Sequence, residues 1–275
     1  MILSIEMREY LIMKTNNRLD ENKKFTIPPS CQSIKIDVGL AGEAPNAAIW
    51  LSEDKDRFVI GIEPLEYHWK MIENFETSNS LRPYPYGFKI LQLEEGVVKL
   101  NKQNVCNIDD KFCKIQCAVD CVDKPTKKKF YQMDRTGGAS GSSSLLKPTS
   151  EHPHFVENEI DVDVLSMEMI LDHIDWDRFP FIEQIKTDCE GHDFSVVKSI
   201  GEKYLSRILY ITSEMSTNGS HWENSYNHQE FIDYMENRGF AVMERTSSDV
   251  FFVNNSLVKV SQIMSLGMNC KVLGA

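Results

Sequence analysis

Four ionisable side chains fall within six residues in the stretch Asp188-Cys189-Glu190-Gly191-His192-Asp193, directly after the apolar run IEQIKT at 182–187. Charges bunched at the end of a buried strand cost desolvation energy unless they are solvated, paired or used. Asp193 precedes a helical stretch, so a helix cap accounts for it. Asp188 and Glu190 could orient an ammonium group, take a proton from a hydroxyl, or bind a divalent ion. His192 is an alternative base, although a surface position is the commoner lot of such a histidine. The next apolar run, RILYITSE at 207–214, also ends in an acid, Glu214.

A second cluster lies far upstream. SIKIDV at 33–38 leads into Gly39-Leu40-Ala41-Gly42, and FVIGI at 58–62 ends at Glu63-Pro64. Glycine after a strand lets a ligand approach the backbone, and the following helix N-terminus suits an anion. An acid ending the next strand accepts the hydroxyls of a ribose, which gives Glu63 its expected role. Leu40, Pro64 and Leu65 could flank an adenine. The combination Asp37, Gly39, Gly42 and Glu63 signals an adenosine-containing ligand without separating a nicotinamide from S-adenosylmethionine. The dinucleotide fingerprint wants a third glycine, which the loop lacks. The Tyr-x-x-x-Lys spacing at Tyr10 and Lys14 lies upstream of the loop rather than downstream. Both points favour a methyl donor.

These residues need a scaffold, and the chain supplies its rhythm. Residues 1–30 read as an amphipathic helix followed by a polar linker ending at Pro28-Pro29, and 31–275 as a single domain. Strand, helix, strand, helix alternate from Ser33 to Thr77, with Pro45 opening the first helix. KIQCAV at 114–119 and KKFYQM at 128–133 read as further strands. The serine-rich GGASGSSS at 137–144 and SEHPHF at 150–155 read as a mobile loop around 134–158, not a domain boundary. Strands then resume at 162–165, 182–188 and 207–214, and helices at 167–173, after Phe194, and around Phe231, Ile232 and Met235. Phe240 to Met243 and Val250 to Val253 return tightly as an antiparallel edge pair. This is an α/β chain with a mostly parallel sheet and helices on both faces.

Bulk properties narrow the function. At 275 residues the chain can bury a large core without disulfides or metal. The net charge of −11 argues against nucleic-acid binding, and the run KPTKKK at 124–129 is expected to be a solvated loop. Seven cysteines follow no disulfide spacing and are expected to be reduced in a cytoplasmic protein. Cys113, Cys117 and Cys121, at four-residue spacing, would share one face of a strand, with no further ligand at zinc-site spacing. No signal peptide and no membrane span is legible.

Several blocks, in order, resemble the FkbM family of S-adenosylmethionine-dependent methyltransferases. They are IDVGL at 36–40, VIGIEP at 59–64, CAVD at 117–120, SGSSSL at 140–145, VDVLSMEMIL at 162–171, IKTDCEGHDFSVVKSI at 185–200, ITSE at 211–214 and GF…DVFFVN from 239 to 254. The Lys-x-Asp-x-Glu-Gly block is the most specific. The resemblance implies a Rossmann-like class I methyltransferase sheet of seven strands with the last antiparallel. It implies donor binding by Asp37, Gly39, Leu40 and Gly42, Glu63 on the ribose, Pro64, Cys117 and Ala118 near the adenine, and Asp188 facing the transferring methyl. The chain departs from the family's D-V-G-A-N-x-G loop, carrying Ala41 and Glu43 where an Asn and a Gly are usual, and Asn46 is the nearest replacement amide.

The family methylates hydroxyls, often on sugars, so the expected function is O-methylation of a carbohydrate or similar small molecule. The candidate proton acceptors are Asp188 and Glu190 first, then Glu214, His221 and His154. A divalent cation on Asp188 and Glu190 is an open option, with no dedicated metal site. The serine-rich and histidine-containing loops would cover the acceptor, and Trp222 and Tyr226 would either stack on a sugar ring or simply pack. A nicotinamide oxidoreductase and a non-catalytic binding protein of the same fold are the rival readings.

Overall fold

The computed structural model describes residues 19–42, 44–54, 56–74, 76–77, 90–94, 97–100, 111–133, 140–151, 156–215 and 221–258. The expected helix at the chain start, Glu43, His154 and much of the loop around 134–158 lie outside the described residues.

Strand β1 (Ser33–Val38) leads through the glycine loop to helix α1 (Pro45–Glu53), then β2 (Arg57–Ile62) and α2 (Glu66–Asn74). A small antiparallel ladder follows, β3 (Glu76–Thr77), β4 (Ile90–Glu94) and β5 (Val97–Leu100). Strand β6 (Phe112–Ile115) rejoins the main sheet, and β7 (Ala118–Val119), β8 (Thr126–Met133) and β9 (Val156–Leu165) form a third sheet. Helix α3 (Met167–Leu171), β10 (Ile182–Thr187), α4 (Asp193–Lys198), α5 (Glu202–Leu205), β11 (Ile208–Glu214), α6 (His228–Glu236), β12 (Phe240–Arg245) and β13 (Asp249–Asn254) complete the order.

The main sheet has seven strands in the order β12-β13-β11-β10-β1-β2-β6. Pairs β10–β11, β1–β10, β1–β2 and β2–β6 are parallel, whereas β13 is antiparallel to both its neighbours. From β1 the chain builds outward to β2 and β6, then crosses back to place β10 on the other side of β1. Strand order therefore reverses between β1 and β10, where an open α/β sheet forms its crevice.

The sequence explains the elements. Every residue of β2 is buried, Arg57 included, and the apolar run from Phe58 to Ile62 is what a parallel strand covered on both sides requires. Alternate residues of β2 enter different clusters. Val59 packs with Ala47 and Trp50 of α1, while Phe58, Ile60 and Ile62 join the larger core that holds Phe194, Val197, Phe231 and Met235. Ser166 caps α3 by accepting from Met169 N, and Asn227 caps α6 by accepting from Gln229 N.

Four expectations are corrected. KIQCAV is not one strand: the chain turns at Gln116-Cys117, where Cys117 N donates to Ile115 O at 3.1 Å, and β7 leaves for the third sheet. Cys113, Cys117 and Cys121 therefore share no face; the first two are buried and Cys121 is exposed, and all three are free thiols. The lysine run is no solvated loop but largely strand β8, because the acidic strand β9 lies opposite it. Lys129 pairs with Asp161 at 3.0 Å and Lys127 with Asp163 at 3.7 Å, each directly across the ladder. Residues 19–30 are not a free linker, since Phe25 and Ile27 are buried in the main core. Arg178 fastens this segment by donating to the carbonyls of Ile27, Pro28 and Cys31.

Among the described residues no helix is long and apolar enough to cross a membrane. Because Phe25 is buried in the core, Phe25→Ala should lower the unfolding free energy by about 3–5 kcal/mol in urea titrations. A loss under about 1 kcal/mol would mean the segment is not integrated.

Candidate functional site

The ends of β1 and β10 touch through their backbones. Asp188 N donates to Val38 O at 3.0 Å, and Gly39 N donates to Ile62 O at 3.0 Å. Gly39 takes φ +83°, and a Cβ there would lie 1.9 Å from the Asp188 carbonyl oxygen. Only glycine allows both the conformation and the approach. Ala41 follows in the left-handed region at φ +50° and aims its N–H at Glu63 Oε2, 3.1 Å away. This is the position where the family usually carries Asn, a residue that tolerates that region better than alanine.

Glu63 is 4% exposed and closely held. Its Oε1 accepts from Leu65 N at 2.9 Å and lies 3.1 Å from His68 Nδ1, while Trp69 Nε1 donates to the Glu63 carbonyl at 2.7 Å. The carboxylate thus has a fixed orientation before any ligand arrives.

A cleft of about 480 Å³, including its open mouth, lies over these strand ends. Of the residues singled out from the sequence, Gly39, Ala41, Glu63, Pro64, Cys117, Ala118, Asp188 and His192 line it. Asp37, Leu40 and Gly42 stand behind the wall. Asp37 is turned toward α1, where its Oδ2 accepts from Ala47 N at 3.0 Å, and burial pushes its carboxyl up to about 6. Leu40 fills the cluster beneath α1, and Gly42 is buried in the loop. Leu65 packs with Ala118, Phe130 and Val164. Asn46 lies in the first turn of α1 and is not among the wall residues.

Beside Asp188 two further acids gather that do not themselves line the cleft, Glu190 and Glu214. One carboxylate oxygen from each of Asp188, Glu190 and Glu214 lies within 4.8 Å of the other two, a spacing that could hold a cation. Lys186 Nζ stands 2.7 Å from Asp188 Oδ2. Burial opposes the ammonium charge, but Asp188 and Asp37 outweigh it and hold Lys186 above its ordinary value. Burial first, then Asp188 and Asp193, pushes Glu190 up to about 8; burial, then Asp188 and Glu190, pushes Glu214 up to about 10. Both are therefore protonated at neutral pH, which is how a crowded carboxylate cluster avoids uncompensated charge.

The serine-rich block holds this loop in place. Ser142 hydrogen-bonds the Glu190 side chain, and Ser144 Oγ donates to Glu190 O at 3.0 Å. Gly191, at φ +83°, lies flat under Trp222, whose ring would meet a Cβ at 2.6 Å. Of the two open readings for the aromatics, packing is the one realised: Trp222 is 6% exposed beside Met133, and Tyr226 donates from its hydroxyl to Glu214 O at 2.8 Å among Phe194 and Phe231. His221 is half-buried, and its carbonyl accepts from Thr149 N; it is not among the residues lining the cleft.

His192, the alternative base of the sequence reading, lines the cleft, and the acid behind it escaped that reading. His192 is 12% exposed rather than a surface residue, with Nε2 3.0 Å from Asp120 Oδ1. Asp120 itself, the acid of CAVD, was legible only as the last letter of a motif, because its partners come from β8 and α4.

Gly39→Ala is expected to cost more than about 2 kcal/mol, the backbone strain alone being about 1–2 kcal/mol, as read from thermal unfolding. Ala41→Gly, which relieves a left-handed alanine, should not lose stability. The raised acids set a pH trend. Because Glu190 and Glu214 keep protons in the folded chain that the unfolded chain releases near 4.5, they stabilise most below that value. Their contribution is lost as pH rises through about 8 and about 10. The unfolding temperature of a Glu190→Gln, Glu214→Gln double variant should therefore gain on the parent between pH 6 and pH 9. A parallel offset across that range would refute the protonation of the two acids.

The methyltransferase FkbM domain profile matches residues 41–242, well over half of the chain. No curated protein matches significantly. A solved structure of an antibiotic-related methyltransferase aligns over 92% of this chain and 93% of its own, at 10% identity and a TM-score of 0.31, too slight a likeness to carry an argument. By the extent of the domain match and the motifs placed around the cleft, the chain belongs to the FkbM methyltransferase family.

Proposed function

We propose that this chain transfers the methyl group of S-adenosylmethionine to a hydroxyl of a sugar, a glycan or a similar small molecule. The observation that carries the reading is convergence. The glycine loop after β1, the clamped Glu63 after β2 and Asp188 after β10 meet in one cleft at the point where strand order reverses. The donor supplies an electrophilic methyl on a sulfonium when bound. The chain's part is to hold the two reactants in line, from which most of the rate derives.

In this reading Glu63 accepts from the ribose hydroxyls, and the backbone donors that fix it remove the cost of ordering the carboxylate on binding. Pro64, Cys117 and Ala118 flank the base. The loop at Gly39 brings backbone close to the donor, while Asp37, Leu40 and Gly42 support it from behind. Asp188, paired with Lys186 and 40% exposed, faces the cleft and orients the donor's ammonium. Glu190 and Glu214, protonated, act as hydrogen-bond donors beside Asp188. His221 stands in the loop after β11, outside the cleft wall. The five free thiols among the described residues fit a reducing, cytoplasmic setting.

Calorimetry should show saturable binding of S-adenosylmethionine and none of NAD. Glu63→Ala should weaken donor binding about 10- to 100-fold, the loss of one or two hydrogen bonds to a charged group. Label transfer from methyl-labelled donor to a panel of methyl glycosides, run with and without Mg²⁺, should occur in the parent chain. It should disappear in Asp188→Ala with the fold retained. Binding of NAD in place of the donor would restore the oxidoreductase reading, and donor binding without transfer to any acceptor would favour a binding protein.

A further inference from the structure

His192 is tied down from behind. Its Nε2 lies 3.0 Å from Asp120 Oδ1, and the ring lines the same cleft as Asp188 and Glu63. Asp120 is 6% exposed and is itself held from three further directions: Cys121 N donates to its Oδ1 at 2.7 Å, Ser195 Oγ donates to the same oxygen, and Lys128 Nζ bonds Oδ2. Burial works against the charge of this carboxyl, but His192, Lys128 and Ser195 hold it well below the ordinary range. A fixed anion at Nε2 selects the tautomer with its proton on that nitrogen, so the lone pair sits on Nδ1.

The other acidic groups near the cleft are already engaged. Asp188 accepts from Lys186, and Glu63 accepts from two backbone amides and faces His68. Glu190 and Glu214 keep their own protons at neutral pH. Cys189, also on the wall, is pushed far up by burial and is a neutral thiol. An acceptor hydroxyl that loses its proton needs a group with an available lone pair in the cleft, and the ring of His192 lines that wall.

We propose that His192 takes that proton at Nδ1, with Asp120 as the positioning residue that fixes the ring and compensates the imidazolium. The inference rests on the methyl-transfer reading above. As the acceptor O–H bond breaks, its proton passes to Nδ1 and the oxygen pair forms the new C–O bond. The carbon–sulfur bond breaks with its pair going to sulfur, which becomes a neutral thioether. The proton then leaves to water at the cleft mouth.

The competing account is a latch that merely joins the start of α4 to the end of β7. His192→Gln separates the two, since its amide N–H can still reach Asp120 but cannot take a proton. With methyl glycosides as acceptors, His192→Gln should lower kcat by about 100-fold or more. KM, the donor Kd and the unfolding temperature should stay near the parent values. His192→Gly should recover turnover when imidazole is added, and Asp120→Asn should lower kcat more than it raises KM. A His192→Gln enzyme within about threefold of the parent kcat, or no imidazole rescue, overturns the assignment while leaving methyl transfer standing. A parent chain that binds donor but methylates none of the glycosides overturns the carbohydrate reading, and this inference with it.

Discussion

The Gly39 backbone lies so close to the Asp188 carbonyl that no side chain fits between them, and the geometry of the cleft follows from that contact. Strands β1 and β10 are neighbours in the sheet but about 150 residues apart in sequence. Closing that distance brings Glu63, after β2, to the same cleft as Asp188 of the acid block. The Asp188 N–H to Val38 carbonyl bond extends the parallel ladder one step beyond the strands. Gly39 then turns out of the sheet, which frees the space above it. A bulkier residue at Gly39 would push the two loops apart and dissolve the cleft as a unit.

Electrostatics shapes the site as much as backbone does. Asp37, Asp188, Glu190, Asp193 and Glu214 crowd near a single buried ammonium, Lys186. Five ionised carboxylates so placed would repel each other and lose their hydration, a cost that protein contacts alone would not offset. The folded chain answers by proton uptake. Glu190 and Glu214 rise furthest because they have no cation of their own, whereas Asp188 faces Lys186 directly. The contrast with Asp120 is instructive. It too is largely withdrawn from solvent, but three hydrogen-bond donors converge on it with the His192 ring alongside, and its charge is retained. The site thus holds protonated and ionised carboxyls side by side, distinguished by their hydrogen-bond partners.

The third sheet supplies what the main sheet cannot. By leaving β6 at Cys117, the chain carries Asp120 toward α4 and brings β8 with Lys128 to meet it. The serine turn after β8 then fastens Glu190 from the opposite side through Ser142 and Ser144. These serines are far from the acid block in sequence, and their composition alone reads as flexible linker. Their described part is instead a support for the loop that carries the acids.

Period and punctuation in the sequence determined the alternating elements, the mostly parallel sheet, the antiparallel closing pair and the presence of two acid-ended strands at the cleft. These follow from local rules, such as apolar runs of strand length, a proline opening a helix and glycine after a strand, and they survive without tertiary information. Motif resemblance added the family. What only the tertiary structure decided is which residue faces which. Asp37 and Leu40 turn away from the cleft because α1 folds over them, and Trp222 packs because Gly191 lies beneath it. The lysine run is a strand because an acidic strand more than thirty residues later pairs with it. The charge state of each carboxyl was equally hidden, since it depends on burial and on partners brought together by the sheet, not by the order of the chain. His192 shows the difference most clearly: a histidine beside three acids in the sequence, it takes its partner from Asp120, seventy-two residues earlier, across the cleft wall.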